Sequence, residues 1–141
     1  MVTLLGGLVG GLVATIAMTM AMMALGDGSP PPTAALWAKF VGDEPPEAYV
    51  PQGMALHVLY GVGAGGAFAL ALPALGFGSA GVVTVLGLAI AYALALTLVG
   101  AAFWMNVVLA TDPEPQQAAM FGVFHVVYGV VLAAVVAYAP L

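Results

Sequence analysis

The chain has 141 residues, 64% hydrophobic and 5% charged, with a formal net charge of −5 and no cysteine. A soluble domain gives roughly a quarter of its residues to Asp, Glu, Lys and Arg, so this composition excludes a soluble globule, and its hydrophobicity excludes disorder. One cation cannot neutralise a phosphate backbone, which removes nucleic acid as a partner, and the missing cysteines remove disulfides, thiol catalysis and thiolate metal sites.

An integral membrane protein remains. A helix crosses roughly 30 Å of hydrocarbon with about 20 apolar residues, and four runs meet that length. The first covers about 2–25; nothing basic precedes it and it exceeds a signal-peptide core, so it is expected to be retained. Gly26-Asp27-Gly28-Ser29-Pro30-Pro31-Pro32 ends it, because consecutive prolines withhold backbone donors. Residues 33–42 then place Leu36, Trp37, Phe40 and Val41 on one face with Lys39 off it. This predicts a short interfacial helix, capped by Thr33 and anchored by Trp37 among the headgroups.

The second run covers about 51–72, with Pro51 in the first turn, where its missing N–H is not needed. Pro73 and the stretch from Gly76 to Ser79 form a short turn. The third run, about 80–110, is longer than a perpendicular crossing requires, so it must tilt or project at its Trp104–Ala110 end. Thr111-Asp112-Pro113-Glu114-Pro115 leads into the fourth, about 118–139. All four are continuous and lack the period-two alternation of a barrel wall. The expected fold is all-α: a single transmembrane four-helix bundle.

With four spans, the first and third loops lie on one side. They hold all six carboxylates (Asp27, Asp43, Glu44, Glu47, Asp112 and Glu114) and the only cation, Lys39. The molecule is electrostatically one-sided. Under the positive-inside rule, Lys39 alone points this face toward the cytoplasm of a multi-pass cell-membrane protein.

Self-comparison finds a repeated sextet. The second span contains His57-Val58-Leu59-Tyr60-Gly61-Val62 and the fourth His125-Val126-Val127-Tyr128-Gly129-Val130. Each half then reads as a helical hairpin, and duplication predicts two pseudo-symmetric hairpins related by an axis along the membrane normal. His57 and His125 would lie at equal depth. His, Tyr and Gly at i, i+3 and i+4 share a helical face, which Gly65 and Ala133 continue. The first span offers complementary stripes, Gly6, Gly10 and Ala14 beside Gly7, Gly11, Thr15 and Thr19, and the third offers Gly87, Ala91 and Ala95. Small residues four apart let helices approach closely in lipid. Gly7, Gly11, Gly61, Gly65 and Gly129 are therefore the expected packing positions, with the His/Tyr faces turned inward.

The histidines admit three readings. The plain one is structural, with each imidazole satisfied by Thr15, Thr19, Asn106, Gln52 or the opposite tyrosine. A sharper one makes His57 and His125 the axial ligands of a haem b iron, with Tyr60 and Tyr128 lining the site, although only Lys39 is present to pair with propionates. The third is a proton or cation relay in an oligomer, fed by the acidic mouth. Met18, Met20, Met22 and Met23 suggest soft-metal binding, but only Met18 and Met22 share a face and no His or Cys lies nearby in sequence, so packing is preferred. Asn106 reads as an interfacial or helix-bridging amide. The acidic loops lack the order of a calcium loop, and no nucleophile stands beside a base, so an enzyme is not expected.

The segments from Gly11 to Met20 (GLVATIAMTM) and from His57 to Gly65 (HVLYGVGAG) resemble small multi-span prokaryotic membrane proteins of the YagU-like and related families. The resemblance covers about the first half of the chain. It implies a four-helix membrane fold and brings no activity or cofactor; basic residues common in the first loop of such proteins are almost absent here. The expected role is a non-enzymatic component or accessory subunit, embedded in the bilayer as a homo-oligomer or within a larger complex.

Overall fold

The computed structural model describes residues 2–138. Four long apolar helices are present: α1 (Leu4–Leu25), α3 (Val50–Ala74), α4 (Val82–Leu98) and α5 (Pro115–Tyr138), with a short α2 (Pro32–Phe40) in the first loop. A 3-10 turn, Pro46–Tyr49, leads directly into α3, and α4 runs on into a π-helical segment, Val99–Val108. α1, α3, α5 and the joined α4 and π-segment are each apolar and long enough to span a bilayer. Ala139, the expected end of the fourth span, lies outside the described residues.

Glycine sets the closest approach. Gly7 and Gly11 of α1 face Gly61 and Gly65 of α3 so closely that a Cβ on Gly65 would stand 2.6 Å from Gly11 Cα. On the other side of α1, Gly10 meets Leu132 and Val135 of α5, and Gly129 of α5 packs on the Ala89 carbonyl and Ala93 of α4. The helices therefore stand in the order α3, α1, α5, α4, with α1 antiparallel to α3 and α5, and α5 antiparallel to α4. This order does not carry the expected two-fold through the contacts. α1 packs along α5, whereas the equivalent pair, α3 and α4, makes no extended backbone contact. Tyr92 bridges that gap: its hydroxyl donates to the Ala64 carbonyl at 2.9 Å and its ring lies 5.3 Å from that of Phe68.

Three sequence expectations are corrected. α4 turns Val85, Ala89 and Ala93 inward, and the Gly87, Ala91, Ala95 stripe is exposed. Small residues cover both faces of this helix, so their spacing did not select one. Thr33 does not cap α2, because Pro31 occupies the cap position and Pro32 the first turn. The expected apolar face of α2 is split: Leu36 turns into the bundle while Phe40 and Val41 are exposed. The split follows from Ala34, which is buried against the backbone gap at Gly53 of α3 and fixes the rotation of α2. The third span changes helix type at Val99.

The acidic end is tied by local bonds. Lys39 Nζ donates to the Val108 carbonyl, placing the only cation on the C-terminal, negative end of the π-segment. Ala110, at φ 53°, turns the chain out of that segment, and Thr111 donates to Met105 O from both N and Oγ1. The Tyr49 hydroxyl accepts from Asp43 N and donates to Asp43 Oδ1.

Asp27 Oδ1 accepts from the Ser29 hydroxyl at 2.6 Å and from Ser29 N at 3.0 Å, and these bonds hold its carboxyl below the ordinary carboxylate range. A lowered folded-state pKa stabilises the fold above the ordinary carboxylate pKa, and this contribution is lost as pH falls through the lowered value. Carboxyl-carbon NMR should find Asp27 titrating below the ordinary range, and Ser29→Ala, which removes the hydroxyl bond and keeps the backbone one, should move it part of the way back; an unchanged titration would contradict the turn.

Candidate functional site

The sequence repeat directs attention to one end of the bundle, between α3 and α5. Tyr128 of α5 is buried and its hydroxyl donates to the Gly61 carbonyl of α3 at 2.6 Å. That bond pairs the two sextets at one height. One helical turn toward the acidic loops, His57 and His125 line a single cavity of about 350 Å³. Its walls come from every helix. Thr15, Met18 and Met22 belong to α1, Thr33 and Leu36 to α2, Tyr60 and Ala64 to α3, and Leu96 to α4. Gly100, Trp104 and Met105 are supplied by the π-segment and Phe121 by α5.

The π-segment gives this end of the bundle its shape. An i→i+5 ladder is rare and is frequently found at functional sites; here Gly100 lies against the Phe121 ring, where a Cβ would stand 2.7 Å from two ring carbons. Above the cavity, α2 is held to α3 through Ala34 and Gly53 and to the π-segment through Lys39 and Val108. It lines the acidic side of the cavity with Thr33 and Leu36. Leu59 and Tyr60 are exposed at the rim, on the side where α3 and α4 do not meet.

The two imidazoles have different partners. His125 Nδ1 lies 2.8 Å from the Phe121 carbonyl, and its ring meets the Phe121 ring edge-on at 4.4 Å. A carbonyl only accepts, so Nδ1 carries the hydrogen, and Nε2 of the neutral ring holds a free lone pair. His57 Nε2 is buried with no hydrogen-bond partner. The side chains expected to satisfy these rings do other things. Thr15 donates to Gly11 O at 2.7 Å, Asn106 is exposed, and Gln52 Oε1 is itself buried without a partner, as is Thr33 Oγ1. An unpaired polar atom buried in an apolar setting costs roughly 1–3 kcal/mol, so these three atoms are a local cost to the fold.

The structure separates the two sextets chemically. Tyr128 is tied and buried, while Tyr60 is 45% exposed at the rim and its hydroxyl makes no hydrogen bond among the described residues. Gly61 packs on Thr15 and Gly129 on Ala89, so each sextet glycine meets a different neighbour. Sequence reasoning missed the contributions of α2 and the π-segment. Neither Leu36 nor Met105 carries a local signal, because only the folded chain brings them to the histidines.

The four spans define the class: a small polytopic helical membrane protein. No protein-family model, curated protein or solved structure matches this chain.

Proposed function

We propose that this protein is a non-enzymatic membrane component whose working part is the cavity between His57 and His125, which receives a small ligand through the imidazole nitrogens. One observation carries the reading: two histidines on separate helices, each with a ring nitrogen that has no protein partner, line one cavity. The outer faces fit an accessory subunit that packs against its own copies or a larger assembly. The exposed Gly87, Ala91, Ala95 stripe permits close helix approach. The single cation at the acidic end favours a cell-membrane orientation with those loops in the cytoplasm. Kinship with YagU-like proteins, resting on the Gly11–Met20 and His57–Gly65 segments, belongs to the same proposal.

A haem b between the histidines is less well served by this geometry. The Tyr128–Gly61 bond holds α3 and α5 together one turn from the imidazoles, and Lys39, the only partner for a propionate, is engaged at Val108. A relay meets a different obstacle. Every carboxylate and Lys39 lie in the two acidic loops, so no such group continues a path beyond the histidines.

The test is ligand-dependent stability of the purified protein, with its absorption spectrum recorded first. A bound ligand stabilises by about 2.7 kcal/mol at one hundred times its dissociation constant. The expected result is a ligand-induced rise in melting temperature that His57→Ala and His125→Ala each abolish. If metals, haem and quinones all leave the melting temperature unchanged, while both substitutions merely destabilise, the histidines are structural and the proposal fails. A Soret band lost in either variant would instead establish haem.

A further inference from the structure

The methionines are not scattered through this bundle. Of the seven among the described residues, Met20 and Met23 are largely exposed, and all but Met20 border one of two cavities at the acidic end. Met18, Met22 and Met105 share the inner cavity with His57 and His125. Met23, Met54 and Met120 line an outer space of about 600 Å³, together with Asp27 and Glu114. Met22, Met105 and Phe121 border both, so the two spaces adjoin. Beyond Tyr128 the buried core is Phe68, Leu72, Val85, Leu132 and Val136, with no methionine. Methionine used only as a flexible filler would have no reason to keep to one end.

We propose that the inner cavity binds a soft monovalent d10 metal ion, copper(I) or its analogue silver(I), through Met18, Met22, Met105, His57 and His125. This rests on the ligand-binding reading above and names the ligand. Thioether and imidazole without thiolate is a donor set that selects copper(I) over hard cations. All five donors are neutral and no carboxylate lines the inner space. The cost of desolvating an ion grows with the square of its charge, so a neutral apolar cavity admits one positive charge far more readily than two. His125 has the arrangement of a metal-binding histidine, its Nδ1–H fixed on a carbonyl and Nε2 left as the donor. Asp27 and Glu114 in the outer space, on a face rich in carboxylate, concentrate cations at the entrance. The Tyr128–Gly61 bond closes the far side, so the arrangement is a binding site rather than a conduit.

The experiment titrates purified full-length protein with silver(I) by calorimetry, and with copper(I) in competition against a chromophoric chelator. Zinc(II), a divalent ion of borderline softness, is the comparison. The expected result is about one silver(I) per chain, with zinc(II) weaker. A combined Met18→Leu, Met22→Leu, Met105→Leu variant, chosen because Leu and Met exchange with little change in packing, should lose on the order of 10-fold or more in affinity. X-ray absorption of the copper(I)-loaded wild type, which needs no variant to fold, should show mixed sulfur and nitrogen neighbours. Absence of stoichiometric silver(I) binding, unchanged affinity in the leucine variant, or a shell without sulfur each overturns the metal site. Should another ligand still depend on the two histidines in any of these cases, the proposed function stands and only this inference fails.

Discussion

Gly65→Ala should lower the stability of the folded bundle by about 1–3 kcal/mol, the usual cost of overpacking, or more if α1 and α3 separate. The new Cβ would meet the Gly7 carbonyl, Gly11 Cα at 2.6 Å and Gly11 N at 2.8 Å, all backbone atoms that cannot rotate away. Relief requires moving a whole helix, and α1 is also locked to α5 through Gly10. The control is Gly63→Ala, two residues away on the same helix, where nothing lies within 4 Å of the added carbon. That substitution should be neutral or stabilising by up to about 1 kcal/mol, since alanine is the better helix former. Denaturant or thermal unfolding in detergent reads both. Equal effects at the two positions would mean that α1 and α3 do not pack through glycine.

Tyr128→Ala should cost about 3–5 kcal/mol, the range for deleting a buried aromatic side chain, and Tyr128→Phe about 1 kcal/mol, the loss of one interhelical hydrogen bond in a membrane. The ring is 2% exposed, and its hydroxyl is the direct tie between the two histidine-bearing helices. Tyr60→Phe is the internal comparison, because Tyr60 holds the matching place in the other sextet but lies at the rim. It should leave stability unchanged within a few tenths of a kcal/mol, as exposed substitutions do. If the two Phe variants behaved alike, the sextets would be equivalent in the folded protein and the asymmetry described above would be wrong.

Much of this architecture was legible in the sequence, for a simple reason. Lipid offers no partners to backbone groups, so each crossing must be a continuous apolar helix, and hydropathy with proline punctuation marked all four. The packing of Gly7 and Gly11 on Gly61 and Gly65 was also readable, because a spacing of four defines one helical stripe. The inward face of α4 was not readable. Val85, Ala89 and Ala93 compete with Gly87, Ala91 and Ala95, and only Gly129 and Ala89 meeting across the α4–α5 contact decides between them. The π-segment escaped notice because Val99–Val108 is as apolar as any helical run; its widened turn accompanies the close meeting of Gly100 and Phe121, which is tertiary.

The site shows the same division. Two rare histidines in matching slots pointed to one place, and both line one cavity. Their expected partners did not follow, since Thr15 turned to its own helix at Gly11 and Gln52 was left unpaired. Met22 and Met105 are more than eighty positions apart in the chain, and no local pattern could announce that they border the same space.

The turn joining α3 to α4 bears on how the molecule is assembled. Between Ala74 and Val82 there is no ionisable side chain. A hairpin that enters a bilayer tip first must drag its tip through hydrocarbon, and each Asp, Lys or Arg there would oppose insertion by about 2.5–3.5 kcal/mol on translocon scales. This tip incurs no such penalty, so the two middle spans can be threaded as a pair without stripping water from a charge.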